Sequence, residues 1–213
     1  MKFYWVKTSW LIKKLFSGFI WSLPKEAPTV YLTFDDGPIP QVTPLVLDIL
    51  KRHDIKATFF CIGDNIDKHP ETFKQVLAAG HAVGNHTYNH LDGWRVDDNI
   101  YMANTELCQK AIKKYKPEGT KIFRPPYGKL SPVKARGLKQ KGYTVIMWDV
   151  LSADFDQGIS PEKCLKNVVK NARNGSIIIF HDSLKAQKNM QYALPRAIEY
   201  LKRERFRFAL LPV

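Results

Sequence analysis

Short apolar segments alternate with amphipathic segments along most of the chain after Pro28. The apolar segments are rich in β-branched and aromatic residues and are bounded by turn residues, which predicts buried strands. Strands are predicted at residues 29–34, 57–62, 81–85, 121–123, 144–148, 176–180 and 206–211. Helices are predicted between them, at residues 43–52, 70–79, 97–115, 131–141, 160–173 and 190–204.

Strands that alternate with helices are typical of right-handed βαβ units and a parallel sheet. About seven strands fit either a barrel or an open doubly wound sheet, within a single α/β domain. A dinucleotide-binding fold is disfavoured, because no glycine-rich phosphate loop follows the first strand.

The chain is basic, with 33 Lys and Arg against 20 Asp and Glu and a formal net charge of +13. This charge suits an anionic partner such as an acidic polymer or a membrane surface. The basic residues are scattered and no nucleic-acid-binding module is recognisable, so we expect no nucleic-acid partner. The three cysteines form no CxxC pair, which argues against a zinc ribbon or a disulfide framework.

The first 24 residues form an aromatic and basic segment, and we expect the globular domain to occupy residues 25–213. The longest uncharged run of this segment, residues 15–23, is too short to span a bilayer, which needs about 20 residues. Three interpretations stay open: the segment docks on the domain, lies in a membrane interface, or is a degenerate signal. Docking is favoured because aromatic residues are more often buried in a core. A cell-envelope or membrane-associated location is favoured over the cytoplasm.

Polar clusters follow five of the predicted strands. They are Asp35-Asp36, the stretch beginning at His86, Arg124, Trp148-Asp149 with Asp154 shortly after, and His181-Asp182. The carboxyl ends of parallel strands meet at one face, where active sites are built. The five clusters therefore predict one active site.

His86 and His90 are four residues apart, a spacing that directs two imidazoles at one point on a helical turn or a similar tight loop. A carboxylate from Asp35 or Asp36 would complete a set of two histidines and one acid. Three protein ligands leave positions open for water and substrate, so this set indicates a catalytic metal.

Two further clusters have both a catalytic and a structural interpretation. Arg124 precedes two prolines, whose rigidity suits a turn that holds the backbone N–H of Tyr127 at a developing oxyanion; the alternative is a strand-ending turn with a surface arginine. His181 follows a buried strand, and contact with an aspartate such as Asp154 would favour its protonated form and suit it to donate a proton. The alternative is a hydrogen-bonded core histidine.

Five segments, "TFDDGP", "HTYNH", "RPPYG", "WDVLSADF" and "IIIFHD", occur in this order and resemble the five motifs of the polysaccharide deacetylases, carbohydrate esterase family four. The resemblance runs from about residue 30 to residue 211. It implies a distorted (β/α) barrel of about seven strands and a divalent metal, usually zinc. The implied reaction removes N-acetyl groups from N-acetylated amino sugars of a peptidoglycan-like or chitin-like glycan.

The resemblance also implies a role for each matched residue. Asp36, His86 and His90 correspond to the metal ligands. Asp35 corresponds to the general base for the attacking water and Arg124 to the residue that holds this base. Tyr127 corresponds to the residue whose backbone N–H stabilises the oxyanion, His181 to the general acid for the leaving amine, and Asp154 to the acid that tunes it. One position departs from the pattern, because Phe155 follows Asp154 where the family commonly has tryptophan.

Two alternatives to sugar deacetylation stay open. Related barrels hydrolyse other non-peptide C–N amide bonds, and a catalytically idle carbohydrate-binding domain belongs to a different class of function. The complete set of predicted ligands, base and acid argues against the idle domain. The positive charge mildly favours an anionic glycan such as peptidoglycan or lipopolysaccharide.

Overall fold

A computed structural model describes residues 4–212 of the chain. Its strands are β1 (Thr29–Asp35), β2 (Thr58–Cys61), β3 (Ala82–Asn85), β4 (Ile122–Phe123), β5 (Thr144–Val145), β6 (Val150–Leu151), β7 (Ile177–His181) and β8 (Arg207–Phe208). Its α-helices are α1 (Trp10–Leu15), α2 (Thr43–Arg52), α3 (Gly63–Lys68), α4 (Pro70–Ala78), α5 (Asp98–Lys113), α6 (Pro132–Gln140), α7 (Pro161–Asn171) and α8 (Gln187–Arg203). A 3₁₀ turn spans Pro126–Gly128.

The strands form one parallel sheet in the order β5-β4-β3-β2-β1-β7-β6, and β8 pairs with the start of β1. Strand β1 lies at the centre, and all seven of its residues are buried. The sheet curls into a half-barrel, which confirms the predicted single-domain α/β fold with about seven parallel strands. In this register Asp35 at the end of β1 lies beside His181 at the end of β7.

The alternation of side chains along β1 explains how the sheet points Asp35 inward. Val30, Leu32 and Phe34 belong to the main core, which also includes buried residues of α2, α7 and α8. Tyr31 belongs to a separate cluster inside the curled sheet. Successive strand residues face opposite sides. Asp35 therefore shares the interior side with Tyr31.

The strand predicted at residues 144–148 is present only at its start, and its predicted end is wrong. Strand β5 ends at Val145 and pairs with β4, whereas β6 begins at Val150 and pairs with β7. The chain thus passes from one edge of the sheet to the other within a few residues. A continuous apolar run cannot reveal this change of partner, because Val145 to Met147 before the change and Val150 and Leu151 after it are all buried.

The N-terminal segment, residues 4–24, lies along the seam between these two edge strands. Ile20 pairs with the chain at the end of β5: its N–H donates to the carbonyl of Val145 at 2.9 Å, and its carbonyl accepts from the N–H of Met147 at 2.8 Å. The N–H of Leu151 donates to the carbonyl of Val6 at 2.8 Å. These contacts support the docking interpretation. The domain boundary at residue 24 stays a prediction.

Asp149 does not join the polar side chains that gather at the strand ends. Its buried carboxylate accepts hydrogen bonds from Lys7 at 2.5 Å, from Lys13, and from the hydroxyl of Ser176 at 2.5 Å. Asp149 therefore binds the N-terminal segment to the barrel. Its role in the fold depends on contacts across more than 130 positions of sequence, which local patterning does not reveal.

Helices α1 and α3 were not predicted, because each is only six residues long. Within residues 4–212, no helix combines the length and the apolar character that crossing a bilayer requires.

Candidate active site

Three side chains converge at the carboxyl ends of the central strands. Ligand-capable atoms of Asp36, His86 and His90 all lie within 4.8 Å of one another. Oδ1 of Asp36 is 3.2 Å from Nε2 of His90 and 3.7 Å from Nε2 of His86. Residue spacing alone does not decide which of the two adjacent aspartates faces the histidines. In the structure Asp36 is the one that lies near His90.

The turn after β1 allows both aspartates to face one site. Asp36 has a φ of 86°, in the left-handed region, so the alternation of the strand ends at this residue. The buried carboxylate of Asp182 accepts from the N–H of Gly37 at 2.9 Å and from the hydroxyl of Thr43 at 2.7 Å. A Cβ atom at Gly37 would lie 1.9 Å from Oδ2 of Asp182, so only glycine fits here. Burial raises the pKa of Asp182 to about 7.

A tight loop rather than a helix carries the two histidines. The side-chain oxygen of Asn85 accepts from the N–H of Thr87 at 2.9 Å. The side-chain oxygen of Asn104 on α5 accepts from the N–H groups of Tyr88 and Asn89 at 2.8 and 3.0 Å. Polar side chains from β3 and α5 therefore fix the backbone that aims His86 and His90.

His86 is oriented by its second ring nitrogen. Nδ1 lies 2.8 Å from the backbone carbonyl of Arg124, which can only accept, so Nδ1 carries the proton and Nε2 keeps its lone pair. Burial lowers the pKa of His86 to about 4, which keeps the ring neutral. A neutral imidazole with a fixed tautomer is the form that ligates metals.

Arg124 is buried and forms an ion pair with Asp35. Its Nη1 donates to Oδ1 of Asp35 at 2.7 Å and to the hydroxyl of Thr33 at 2.8 Å. Its other nitrogens donate to the carbonyls of Ile146 and Met147. The alternative of a surface arginine is therefore wrong. The second carboxylate oxygen, Oδ2 of Asp35, lies 3.8 Å from Nε2 of His86.

His181 and Asp154 form a second pair on the opposite wall. Nδ1 of His181 lies 2.7 Å from Oδ1 of Asp154, and the backbone N–H of His181 donates to Oδ2 at 2.8 Å. Burial disfavours the charged ring, but the charge and hydrogen bond of Asp154, with Asp36 and Asp35, raise the pKa of His181 to about 9. The histidine is therefore protonated near neutral pH. The contact predicted with Asp154 is present.

Tyr127 lies at the rim in a left-handed conformation, with a φ of 60°. Its hydroxyl is 3.1 Å from Nδ1 of His90, and the two rings meet edge to face with centroids 4.6 Å apart. Sequence reasoning considered only the backbone of Tyr127. The side chain also contacts a predicted metal ligand.

Left-handed residues are concentrated around this site. Five of the seven non-glycine residues with positive φ in the described chain lie beside it: Asp36, Thr87, His90, Tyr127 and Ala153. Such conformations persist where the surrounding structure holds them, and they are frequent at functional sites.

A cleft of about 550 Å³ connects the two walls. Six predicted site residues line it: Asp35, Asp36, His86, His90, Tyr127 and His181. Its lining also includes Tyr4, Trp148, Leu151, Phe155, Ile179, Ser183 and Lys185. Sequence reasoning missed Tyr4 and Lys185 as cleft residues. Tyr4 precedes the motifs, and neither side chain has a spacing that signals a site. The cleft brings an apolar wall close to the charged groups, as in many small-molecule sites.

The family model for polysaccharide deacetylases matches residues 22–146. The chain belongs to the polysaccharide deacetylase family. This confirms the resemblance to carbohydrate esterase family four and the prediction of a polysaccharide deacetylase, a hydrolase.

Individual relatives are deacetylases of two N-acetylated glycans. A peptidoglycan-N-acetylglucosamine deacetylase of Bacillus cereus is 32% identical over 98% of this chain and 74% of its own length. A chitooligosaccharide deacetylase of Azorhizobium caulinodans is 36% identical over 72% of this chain and 73% of its own length. A crystal structure of a peptidoglycan N-acetylglucosamine deacetylase, in complex with 4-naphthalen-1-yl-N-oxidanyl-benzamide, superposes with a TM-score of 0.89 at 31% identity, covering 96% of this chain and 95% of the other.

The residues present fit a divalent metal ion. Two imidazoles and one carboxylate are the donor set of many catalytic zinc and iron sites, and three ligands leave coordination positions open. The hydrogen bond from His86 to the Arg124 carbonyl supplies the outer support that metal-binding histidines have. Burial opposes ionisation of Asp36, but the hydrogen bond with His90 and the neighbouring imidazoles lower the pKa of Asp36 below its ordinary value. The carboxylate form is the one that binds metals.

Proposed function

We propose that this protein removes N-acetyl groups from N-acetylated amino sugars of a glycan by hydrolysis. The observation that carries the proposal is the convergence of Asp36, His86 and His90 in one cleft between Asp35 and His181. The proposal is supported by the names of the relatives, which are deacetylases of peptidoglycan and of chitooligosaccharides.

Asp36, His86 and His90 would hold the divalent cation, with zinc the favoured identity on the donor set. When bound, such an ion polarises a carbonyl group and lowers the pKa of water. Because Asp35 directly precedes Asp36 in the chain, a second carboxylate lies beside the ligands. This arrangement separates the residue that holds the ion from the residue that takes a proton.

Asp35 acts as the general base. Arg124, which also contacts the hydroxyl of Thr33, binds Oδ1 of Asp35 from the barrel interior. The other oxygen, Oδ2, therefore faces the cleft beside His86. The attacking water gives its proton to this oxygen and its own oxygen to the acetyl carbon. The ion pair fixes the carboxylate in one orientation, which general base catalysis requires.

His181 acts as the general acid on the other side of the acetamide. Asp154 occupies Nδ1, so Nε2 carries the proton that faces the cleft. An amine is a poor leaving group until its nitrogen is protonated. His181 supplies this proton as the C–N bond breaks, which yields acetate and a free amino sugar.

The backbone N–H of Tyr127 stabilises the oxyanion that forms on the acetyl oxygen. The two prolines before Tyr127 restrict the turn, and the left-handed conformation of Tyr127 redirects its peptide groups at the cleft rim. A rigid donor needs no reorganisation when the negative charge develops.

The glycan we propose is an anionic one of the peptidoglycan class, in the cell envelope. Lys185 lines the cleft with its ammonium 5.8 Å from the centroid of the Phe155 ring. A cation at the cleft, on a chain with net charge +13, favours a substrate that carries carboxylates.

A substrate panel tests the proposal against the two alternatives. Acetate release is measured on peptidoglycan fragments, on N-acetylglucosamine oligomers, and on amides that carry no sugar. Release from the glycans alone supports a sugar deacetylase. Release only from the other amides would support the second hydrolase class, and glycan binding with no release from any substrate would support the idle domain.

A further inference from the structure

The N-terminal segment contributes one side chain to the cleft. Tyr4 lines it together with Asp35, Phe155 and His181, although Tyr4 lies outside every motif of the family. The alignment with the Bacillus cereus relative covers 98% of the chain and therefore includes most of this segment. A residue that lines a cleft from a separate segment can shape its substrate specificity without taking part in the chemistry.

Tyr4 is held by a polar contact and by an aromatic contact. Its hydroxyl donates to Oδ2 of Asp156 at 3.0 Å, and its ring meets Phe155 at a centroid distance of 5.7 Å and an angle of 66°. Burial and the hydrogen bond with Asp156 raise the pKa of Tyr4 to about 12, so the hydroxyl keeps its proton. Phe155 in turn meets the ring of His181 edge to face at 5.1 Å. Aromatic contacts thus run from Tyr4 to the proposed acid.

The residues that follow Tyr4 in the chain are hydrogen-bonded to the barrel along the seam. The carbonyl of Val6 accepts from the N–H of Leu151, and the ammonium of Lys7 donates to Asp149 and to the carbonyl of Asn171. Lys13 adds a second ion pair with Asp149. These contacts hold the backbone from which Tyr4 reaches the cleft.

We infer that Tyr4 is a substrate-positioning residue of this deacetylase. Its ring extends the wall formed by Phe155, and the apolar face of a sugar next to the one being deacetylated packs against that wall. The inference rests on the proposed function. It assigns the N-terminal segment to the active site, because the wall is incomplete without Tyr4.

Calorimetric titration of the metal-free protein with a peptidoglycan-derived tetrasaccharide tests this inference without reference to turnover. The Tyr4→Ala variant loses the ring, Tyr4→Phe loses only the hydrogen bond to Asp156, and Trp10→Ala is the matched control, since Trp10 lies on the same segment, is 70% exposed and does not line the cleft. We expect Tyr4→Ala to raise Kd about fivefold, in the range of a single aromatic contact. Tyr4→Phe and Trp10→Ala should keep the Kd of the wild type.

Kinetics of the metal-loaded protein separate positioning from catalysis. Tyr4→Ala should raise KM for the tetrasaccharide and leave kcat unchanged, because uniform binding is lost. Unchanged thermal unfolding checks that the fold is intact, and Tyr4→Leu replaces Tyr4→Ala if it is not.

An unchanged Kd in Tyr4→Ala, or an equal loss in Trp10→Ala, would overturn the inference. A wild-type protein that binds the tetrasaccharide through Tyr4 but releases no acetate from any substrate would overturn the proposed function and leave the binding role of Tyr4 standing. A metal-loaded wild type that neither binds nor deacetylates any glycan would overturn both.

Discussion

Nη1 of Arg124 lies 2.7 Å from Oδ1 of Asp35, and both side chains are almost completely shielded from water. The guanidinium also stacks over the ring of Phe60, with its carbon 4.1 Å from the ring centroid. One oxygen of Asp35 is therefore bound to the barrel interior, and the other is left beside His86. This division orients the carboxylate before any substrate arrives.

Loss of Arg124 should destabilise the protein. In Arg124→Met the carboxylate of Asp35 stays buried without its partner, and breaking a buried pair in this way costs about 3–5 kcal/mol in the free energy of unfolding. Urea denaturation measures the change. Lys74→Met, which removes one partner of an exposed ion pair with Glu71, is the control and should leave the midpoint where it is. Equal midpoints for both variants would show that the buried pair contributes no net stability.

The two adjacent aspartates should have separable roles. Asp35→Asn keeps the three ligand side chains, so it should bind zinc as the wild type does and lose about 10²- to 10⁴-fold in kcat, as expected for a general base. Asp36→Ala removes a ligand and should lower zinc affinity by roughly 100-fold or more. Zinc titration by competition with a chromogenic chelator measures both affinities. Similar loss of zinc in the two variants would contradict the division of roles.

The fold and most of the site could be predicted because the relevant signals are local. Asp35 and His181 end buried strands, and His86 and Arg124 follow directly after two others. Parallel strands bring their carboxyl ends together. Assigning Asp36 as the metal ligand and Asp35 as the base needed the family resemblance, because two adjacent residues have nearly the same spacing from His86 and His90. The left-handed φ of Asp36, which lets its side chain face the histidines, is a property of the folded turn and has no signature in the sequence.

The rest depends on contacts between distant parts of the chain. The sequence pattern groups Asp149 with the site because it follows an apolar run, yet its partners are Lys7, Lys13 and Ser176. Tyr4 reaches the cleft only because the N-terminal segment lies along the seam. Neither relationship has a sequence period or spacing that would reveal it.

The contact between Asp154 and His181 should set the alkaline limit of activity. Burial alone would lower the pKa of His181, and the charge and hydrogen bond of Asp154 raise it, so the acid form persists up to a pKa of about 9. Activity should fall as pH rises through this value. In Asp154→Asn the pKa of His181 drops, so the fall should begin at lower pH.

The dependence of kcat/KM on pH measures this limit. Asp48→Asn, a change at an exposed residue on α2, is the control and should keep the wild-type profile. An alkaline limb that stays in place in Asp154→Asn would contradict the assignment of His181 as the acid tuned by Asp154.

The cleft cation should discriminate between glycans by charge. Lys185→Met removes the ammonium and keeps most of the apolar stem, so KM should rise about threefold on peptidoglycan fragments, the range of an exposed ion pair, and stay unchanged on neutral N-acetylglucosamine oligomers. The effect should shrink as salt is added. Lys188→Met is the matched control, because Lys188 is exposed on α8 and does not line the cleft. An equal rise in KM on both glycans would remove the argument for an anionic substrate.

The central claim is metal-dependent deacetylation of an N-acetylated glycan at the Asp36, His86 and His90 site. Acetate release from peptidoglycan fragments, measured on chelator-treated protein before and after addition of one equivalent of Zn²⁺, tests it most directly. We predict no release before addition and full release after it, with none at either stage in Asp36→Ala. Undiminished release from the chelator-treated protein, or none from any N-acetylated glycan with zinc bound, would contradict the account.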